Sequence, residues 1–329
     1  VTGLGVVGAG GFGTALAAVV ARAGHEVVLW STSADVVEEI ARDRTSRARL
    51  PGVELPPSLH ATTDTRELAE RARLIVVAVS STDVRDRARR LGEVLDGRHM
   101  LLHAIGAAAG PEDMRVSELL AEETAVKRVG SLAGPALPAD LVAGRFAAMV
   151  CASPFDEVTA EARRFLNLPP ALRLYTSRDL AGVEAAASLS GAYGVALGMA
   201  DSLEMGPGPR AVLITRAVAE GQRLVVAMGG EAKTFPGLAG LGNLLVRTSA
   251  ESGEHAPGYR FGRALGRGER PDRGERLPDS VRAVATGARL AARLRQRAPI
   301  LEAIARVVAG ELDARGAARL LSDTVALEE

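Results

Sequence analysis

Three glycines, Gly8, Gly10 and Gly13, stand in the spacing G-x-G-x-x-G within "GLGVVGAGGFGTALAAVVARAG". That spacing suits one kind of chemistry. The first glycine allows a tight turn, the second lets a pyrophosphate approach the backbone, and the third lets a helix pack on a strand. A helix starting there aims its free N–H groups at the phosphates. A short apolar strand precedes the glycines, an alanine-rich helix follows, and "HEVVLW" reads as the next strand, so the motif sits in a βαβ unit. The ligand expected is a dinucleotide, NAD or NADP. Beyond Trp30 the acid that usually takes the ribose hydroxyls is missing, and Ser31, Thr32 and Ser33 stand in its place. No arginine is there to hold a 2′-phosphate, so the choice between NAD and NADP stays open.

Acid–base chemistry has few candidates. Of the 40 basic side chains all but Lys127 and Lys233 are arginine, so a mechanism that needs a lysine has two to draw on. No metal site is expected. The elements that must position these residues are read from the apolar periodicity. "RLIVVAVS", "HMLLHAIG", "RVGSLAGP", "AAMVCAS" and "LRLYTS" read as strands, with helical stretches between them such as 84–95 and 111–122. Together they give an α/β fold, an N-terminal Rossmann doubly wound parallel sheet. From about Leu180 the chain turns helical and alanine-rich. The expected domains are therefore 1–180, binding the dinucleotide, and 181–329, all-α.

Composition agrees with two packed domains: 329 residues, 47% hydrophobic, with equal numbers of acidic and basic side chains. A single cysteine, Cys151, excludes an internal disulfide framework and fits a reducing compartment, so the cytoplasm is the expected location. Zero net charge argues against a nucleic-acid partner, and the arginines crowded between Arg260 and Arg297 read as a solvated face. No apolar run is expected to approach membrane-spanning length: the best, Leu74 to Val79, suits a buried strand, and no export signal or membrane partner is expected.

Along nearly its whole length the chain resembles bacterial NAD(P)-dependent glycerol-3-phosphate dehydrogenases. The likeness is carried by "GAGGFGTALA", "AGPALPADL", "RAVLITRAVAEGQRL", "KTFPGLAGLGNLL", "YRFGRALGRG" and "APILEAIARVV", in that order. The resemblance implies a Rossmann domain, a helical domain, a small-molecule substrate between them and a homodimer. It places Gly11 and Phe12 in the cofactor loop. It also shows what is missing. Ile105 stands at the lysine of the family's T-K-G motif, which contacts cofactor and substrate. Ser190 and Gly191 stand at the lysine and asparagine of V-K-N, the lysine being the proton-transferring group. Asn243 replaces an aspartate that partners this lysine, and the S-R-N phosphate clamp falls near Ala256, Pro257 and Gly258. Ala136 replaces a threonine, Pro138 an alanine, and Asp279 the glutamate of a late cofactor motif.

Isoleucine and serine in place of lysine are changes of kind, since a drift toward arginine would have kept the charge. A positioned general acid is typically worth about a hundred to ten thousandfold, so efficient turnover of glycerol 3-phosphate is not expected. Substitutes can be named. His103 lies two residues before Ile105 on the same strand face. Tyr193 lies one helical turn beyond Ser190, close enough for a shared proton relay. Each also has a bland reading, as a bonded core histidine and an interface tyrosine. His255, Arg247 and Arg260 are candidate substrate or anion contacts, and Arg210 reads as structural. Two functions follow: an oxidoreductase acting on another hydroxyl or carbonyl compound, or a pseudoenzyme that keeps the scaffold.

Overall fold

Short runs of branched apolar residues, buried on both faces, are what a parallel sheet flanked by helices requires. The computed structural model, which describes residues 3–108, 113–249, 256–270 and 276–323, has eight of them: β1 (Gly3–Val7), β2 (Val27–Trp30), β3 (Leu59–Thr62), β4 (Ala72–Val77), β5 (Met100–His103), β6 (Val129–Ala133), β7 (Ala147–Ala152) and β8 (Leu172–Ser177). They form one sheet in the order β3-β2-β1-β4-β5-β6-β7-β8. The order reverses at β1, which pairs with β2 on one side and β4 on the other. This is the switch point of a doubly wound sheet. One pairing departs from the expected all-parallel arrangement: β7 runs antiparallel to β6, and β8 is parallel to β7. Edge strand β8 alternates buried and exposed residues, as a strand covered on one face should.

The helices of this unit are α1 (Gly11–Arg22), α2 (Ala34–Asp43), α3 (Thr65–Arg71), α4 (Val84–Gly92), α5 (Val116–Glu123), α6 (Pro138–Val142) and α7 (Asp156–Leu166). Two cores follow from the period of two along each strand. Leu4, Val6, Leu74 and Val76 pack on one face with α1 and α7, while Val7, Ile75 and Val77 pack on the other with α3, α4 and α5. Two expected helices are shorter than their sequence pattern. The one read over 84–95 ends at Gly92, and the one read over 111–122 starts at Val116, residues 111 and 112 lying outside the described residues. Cys151 is buried in the sheet, where desolvation pushes its thiol up to about 12, so it stays protonated and inert.

A second compact unit comprises residues 106–108 and 181–329, the first taking in 1–105 and 109–180. Its described residues are helical: α8 (Leu180–Ser202), α9 (Pro207–Ala227), α10 (Asn243–Arg247), α11 (Pro257–Gly266), α12 (Asp279–Arg293), α13 (Pro299–Ala309) and α14 (Ala314–Asp323). A wide π-helical turn, Leu238–Gly242, leads into α10. Helix α8 corrects the expectation that no apolar run approaches spanning length: its 23 residues are long and apolar enough to cross a membrane. Yet 72% of that apolar window is buried inside the protein, which makes α8 the core helix of the unit. Its small residues allow close packing, as at Gly198, where an added Cβ would lie 2.2 Å from the Tyr259 carbonyl oxygen.

A buried carboxylate ties three of these helices. Glu220 on α9 is 1% exposed, accepts the Tyr193 hydroxyl at 3.1 Å, and accepts the Ile300 and Leu301 N–H groups at 3.0 and 3.2 Å. Those amides belong to the first turn of α13, which has no intrahelical acceptor for them. Glu220→Ala would orphan all three donors, so a loss of about 3 kcal/mol or more is expected in denaturant unfolding, at roughly 1–3 kcal/mol per group. Burial raises the Glu220 carboxyl, against hydrogen bonds that lower it. With the folded-state pKa above the unfolded one, its stabilising contribution is present below the unfolded value and is lost as pH rises through the folded value. The stability of wild type relative to Glu220→Gln is therefore expected to fall on going from acid to neutral pH. A difference independent of pH would show that the carboxyl is not raised.

Candidate functional site

In the sheet unit the candidate site is the loop joining β1 to α1. Gly8 has φ +111°, a backbone conformation open to glycine, and a Cβ there would lie 2.5 Å from the Ala78 carbonyl oxygen. At Gly13 a Cβ would lie 2.1 Å from the Gly8 carbonyl oxygen. Gly10 is different: nothing comes within 4 Å of a Cβ built there. Two of the glycines are thus demanded by packing, and the middle one leaves open space in front of the helix. Gly10 caps α1 without a side chain, and the first turn of α1 carries no acid to compete for an anion. Gly11 and Phe12 are half-buried at the same end, and Pro138, at the start of α6, comes within 4.0 Å of a Cβ at Gly11. These residues fit the pyrophosphate of a dinucleotide. Thr32 is exposed just beyond β2, whereas the Ser31 and Ser33 hydroxyls accept from Ser33 N–H at 3.1 Å and Val36 N–H at 3.4 Å, the latter capping α2.

His103 closes β5, is fully buried, and its Nδ1 accepts the Ile105 N–H at 3.4 Å. Ile105 is 5% exposed and packs in the core with Val7, Val77 and Leu101. It brings no polar atom to replace a lysine. The two lysines of the chain lie elsewhere: Lys127 donates to the Ala121 carbonyl at 2.8 Å, and the exposed Lys233 pairs with Glu231.

In the helical unit, Ser190 and Asn243 meet. The Ser190 hydroxyl donates to the Ala187 carbonyl at 2.9 Å and accepts from Asn243 Nδ2 at 3.0 Å. Asn243 Oδ1 accepts from Arg247 Nε at 2.7 Å, one turn along α10. Both Ser190 and Asn243 are buried and neutral, while Arg247 is exposed. Although the residue as a whole is exposed, burial around its guanidinium lowers Arg247 from its ordinary value. Beside Ser190, a Cβ at Gly191 would meet the Ser280 Cβ at 3.1 Å, and one at Gly258 would meet the Ser280 hydroxyl at 2.2 Å. Ser280 of α12 thus fills the space that side chains at 191 and 258 would need. Asp279 is the acidic residue in the first turn of α12, where its charge favours the helix dipole.

The structure corrects one expectation here. Tyr193 does not share a proton with Ser190: its hydroxyl is directed to Glu220, it is fully buried, and burial beside that carboxylate raises it well above the ordinary tyrosine value. The rotation between positions 190 and 193 on α8 is enough to turn the tyrosine toward α9. Arg210 is structural, donating to Asp201 at 3.2 Å and to the Thr248 carbonyl at 2.6 Å. His255 lies outside the described residues. Sequence reasoning missed Ser280 and Glu220; an isolated serine and an isolated glutamate carry no spacing signal.

The reversal of strand order at β1, with a three-glycine turn leading into α1, defines an α/β protein of the nucleotide-binding class. The particular family follows from comparison. The pattern of the NAD-dependent glycerol-3-phosphate dehydrogenase N-terminus matches residues 3–159, and that of the C-terminus of the same enzymes matches 179–319. A glycerol-3-phosphate dehydrogenase [NAD(P)+] of Sinorhizobium fredii is 36% identical over 314 residues, covering 95% of this chain and 93% of the relative. One from Deinococcus radiodurans is 36% identical over 308 residues, covering 93% and 90%. The crystal structure of glycerol-3-phosphate dehydrogenase from Coxiella burnetii superposes with a TM-score of 0.89 at 28% identity, covering 98% of this chain and 99% of that one. The chain belongs to the NAD-dependent glycerol-3-phosphate dehydrogenase family.

Proposed function

We propose that this chain binds NAD or NADP and is an oxidoreductase of the glycerol-3-phosphate dehydrogenase type, with a hydroxyl or carbonyl compound that needs no lysine acid as its efficient substrate. Glycerol 3-phosphate, the compound for which the relatives are named, is on this reading a slow substrate. The observation that carries the proposal is the contact between Ser190 and Asn243. The family resemblance assigns a lysine and its aspartate partner to these positions, and their meeting at 3.0 Å supports the alignment by which both charges are lost together. Bound dinucleotide supplies the hydride donor or acceptor. The α1 amides and the space before Gly10 would hold its pyrophosphate. Reduction of a carbonyl leaves negative charge on oxygen, yet the Ser190 proton is committed to Ala187 and the Asn243 amide to Ser190. Neither group is an acid at neutral pH.

The same contact supports a second reading, a family member that binds dinucleotide and performs no turnover, because every polar atom of the pair is satisfied within the protein. A homodimer, on the family resemblance, and a cytoplasmic location, on the single cysteine, belong to both readings. Thermal-shift titration with NAD, NADH, NADP and NADPH tests them. A working site gives about 2.7 kcal/mol of stabilisation at a hundredfold excess over Kd, several degrees in Tm. No shift with any of the four would remove the oxidoreductase reading. A shift with no oxidation across a broad panel of alcohols would favour the second.

A further inference from the structure

Arg247 is a cation held in place with no acid among the described residues to neutralise it. Its Nε is anchored on Asn243 Oδ1 at 2.7 Å, and among the described residues its two terminal nitrogens have no protein partner and its guanidinium no ion pair. Three arginines of the helical unit do pair with acids: Arg210 with Asp201, Arg267 with Glu269, and Arg306 with Glu311. The frame around Arg247 is stiff. Arg210 holds the Thr248 carbonyl at the end of α10, and the same Asp201 accepts the Tyr259 hydroxyl of α11 at 2.7 Å. Behind Arg247, Asn243 is itself fixed by Ser190. A guanidinium whose Nε is already used still presents a planar edge of two nitrogens, matched to two oxygens of a phosphate or carboxylate.

We infer that Arg247 is the anion receptor of the helical unit, taking a phosphate or carboxylate group of a small ligand on its two free nitrogens. Asn243 is what makes this possible. An aspartate of the same shape at 243 would sit within hydrogen-bond distance of the guanidinium and cancel its charge; the amide orients it and leaves the charge available. Loss of the carboxylate at 243, which reads as damage when position 190 is considered alone, becomes a requirement once Arg247 is included. The positive charge of the site has moved from α8 to α10. The inference rests on the proposed reading of the Ser190–Asn243 region as a ligand site, and it is independent of whether the sheet unit binds a dinucleotide.

Calorimetric titration of the full chain with inorganic phosphate, and separately with acetate, tests it, with the NAD(P) thermal shift measured in parallel. Wild type is expected to bind at least one of the two anions at millimolar concentration. Arg247→Gln should weaken that binding more than tenfold, Arg247→Lys less so, and Asn243→Asp about tenfold, because the new carboxylate pairs with the arginine. Preference for phosphate would point to a phosphate ester as ligand, and preference for acetate to a hydroxy or keto acid. The NAD(P) shift should be the same in all four proteins, which also shows that the variants are folded. Anion binding by Arg247→Gln or Asn243→Asp equal to wild type, or none by wild type, overturns the inference. A missing NAD(P) shift alongside anion binding that depends on Arg247 would overturn the oxidoreductase reading and leave the receptor standing.

Discussion

Ser190→Lys is expected to destabilise the protein by about 3–5 kcal/mol, the usual cost of a buried charge left without its partner, and Asn243→Asp in the same chain is expected to recover at least half of that loss. Ser190 is fully buried, with its hydroxyl 3.0 Å from Asn243, so an ammonium at 190 would have a neutral amide as its neighbour and an aspartate at 243 would supply the missing charge. Denaturant unfolding of wild type, the two single variants and the double variant closes the cycle and isolates the coupling. The chemistry should follow the stability. A lysine placed where a serine cannot donate a proton is expected to raise glycerol 3-phosphate turnover by about a hundredfold or more over wild type, the lower end of what a positioned acid supplies. Should the double variant be no more stable than Ser190→Lys alone, positions 190 and 243 are not partners and the family alignment fails with them.

The second large effect separates glycines that look alike in sequence. Gly13→Ala would force a methyl to 2.1 Å from the Gly8 carbonyl oxygen, so the β1–α1 turn must open; the variant is expected to lose several kcal/mol of stability, in line with a severe backbone clash. Gly10→Ala meets nothing within 4 Å and should unfold like wild type. Its dinucleotide affinity is expected to fall more than tenfold, because the methyl occupies the space the pyrophosphate would take. Paired measurements of Tm with and without NADH read both effects. If Gly10→Ala bound NADH as tightly as wild type, the loop would not be the phosphate cradle.

Much of the fold is legible in the sequence. The strands of the sheet are continuous apolar runs, and runs such as "RLIVVAVS" announce burial on both faces; β3, with the plain sequence "LHAT" and a histidine pointing outward, was too short and too mixed to be read. The glycine spacing specified a turn, yet which glycine packs and which lies open depends on Ala78 and on the Gly8 carbonyl, groups that no local pattern brings together. The antiparallel entry of β7 was hidden for a related reason: β7 is as buried as its parallel neighbours, and direction is set by the chain path through α6. In the helical unit Ser190 and Asn243 could be named by resemblance, fifty-three positions apart. That Arg247 completes them, and that Tyr193 faces Glu220, are facts of rotation about α10 and α8, which sequence alone leaves to the packing.

The Glu220 tie has a consequence for how the helical unit breathes. It joins α8, α9 and α13 through one carboxylate, linking residues 193, 220, 300 and 301. Between those anchors the chain makes a long excursion that carries α10, α11 and α12, and with them Asn243, Arg247 and Ser280. The excursion is anchored at both ends by a frame that has its own buried contacts. The span is also tied back to the frame along its length: Asn243 bonds Ser190 of α8, Arg210 of α9 holds the Thr248 carbonyl, and Tyr259 bonds Asp201 of α8. Residues 243, 247 and 280 are thus carried on a span fastened to its scaffold, and loosening that span costs those bonds.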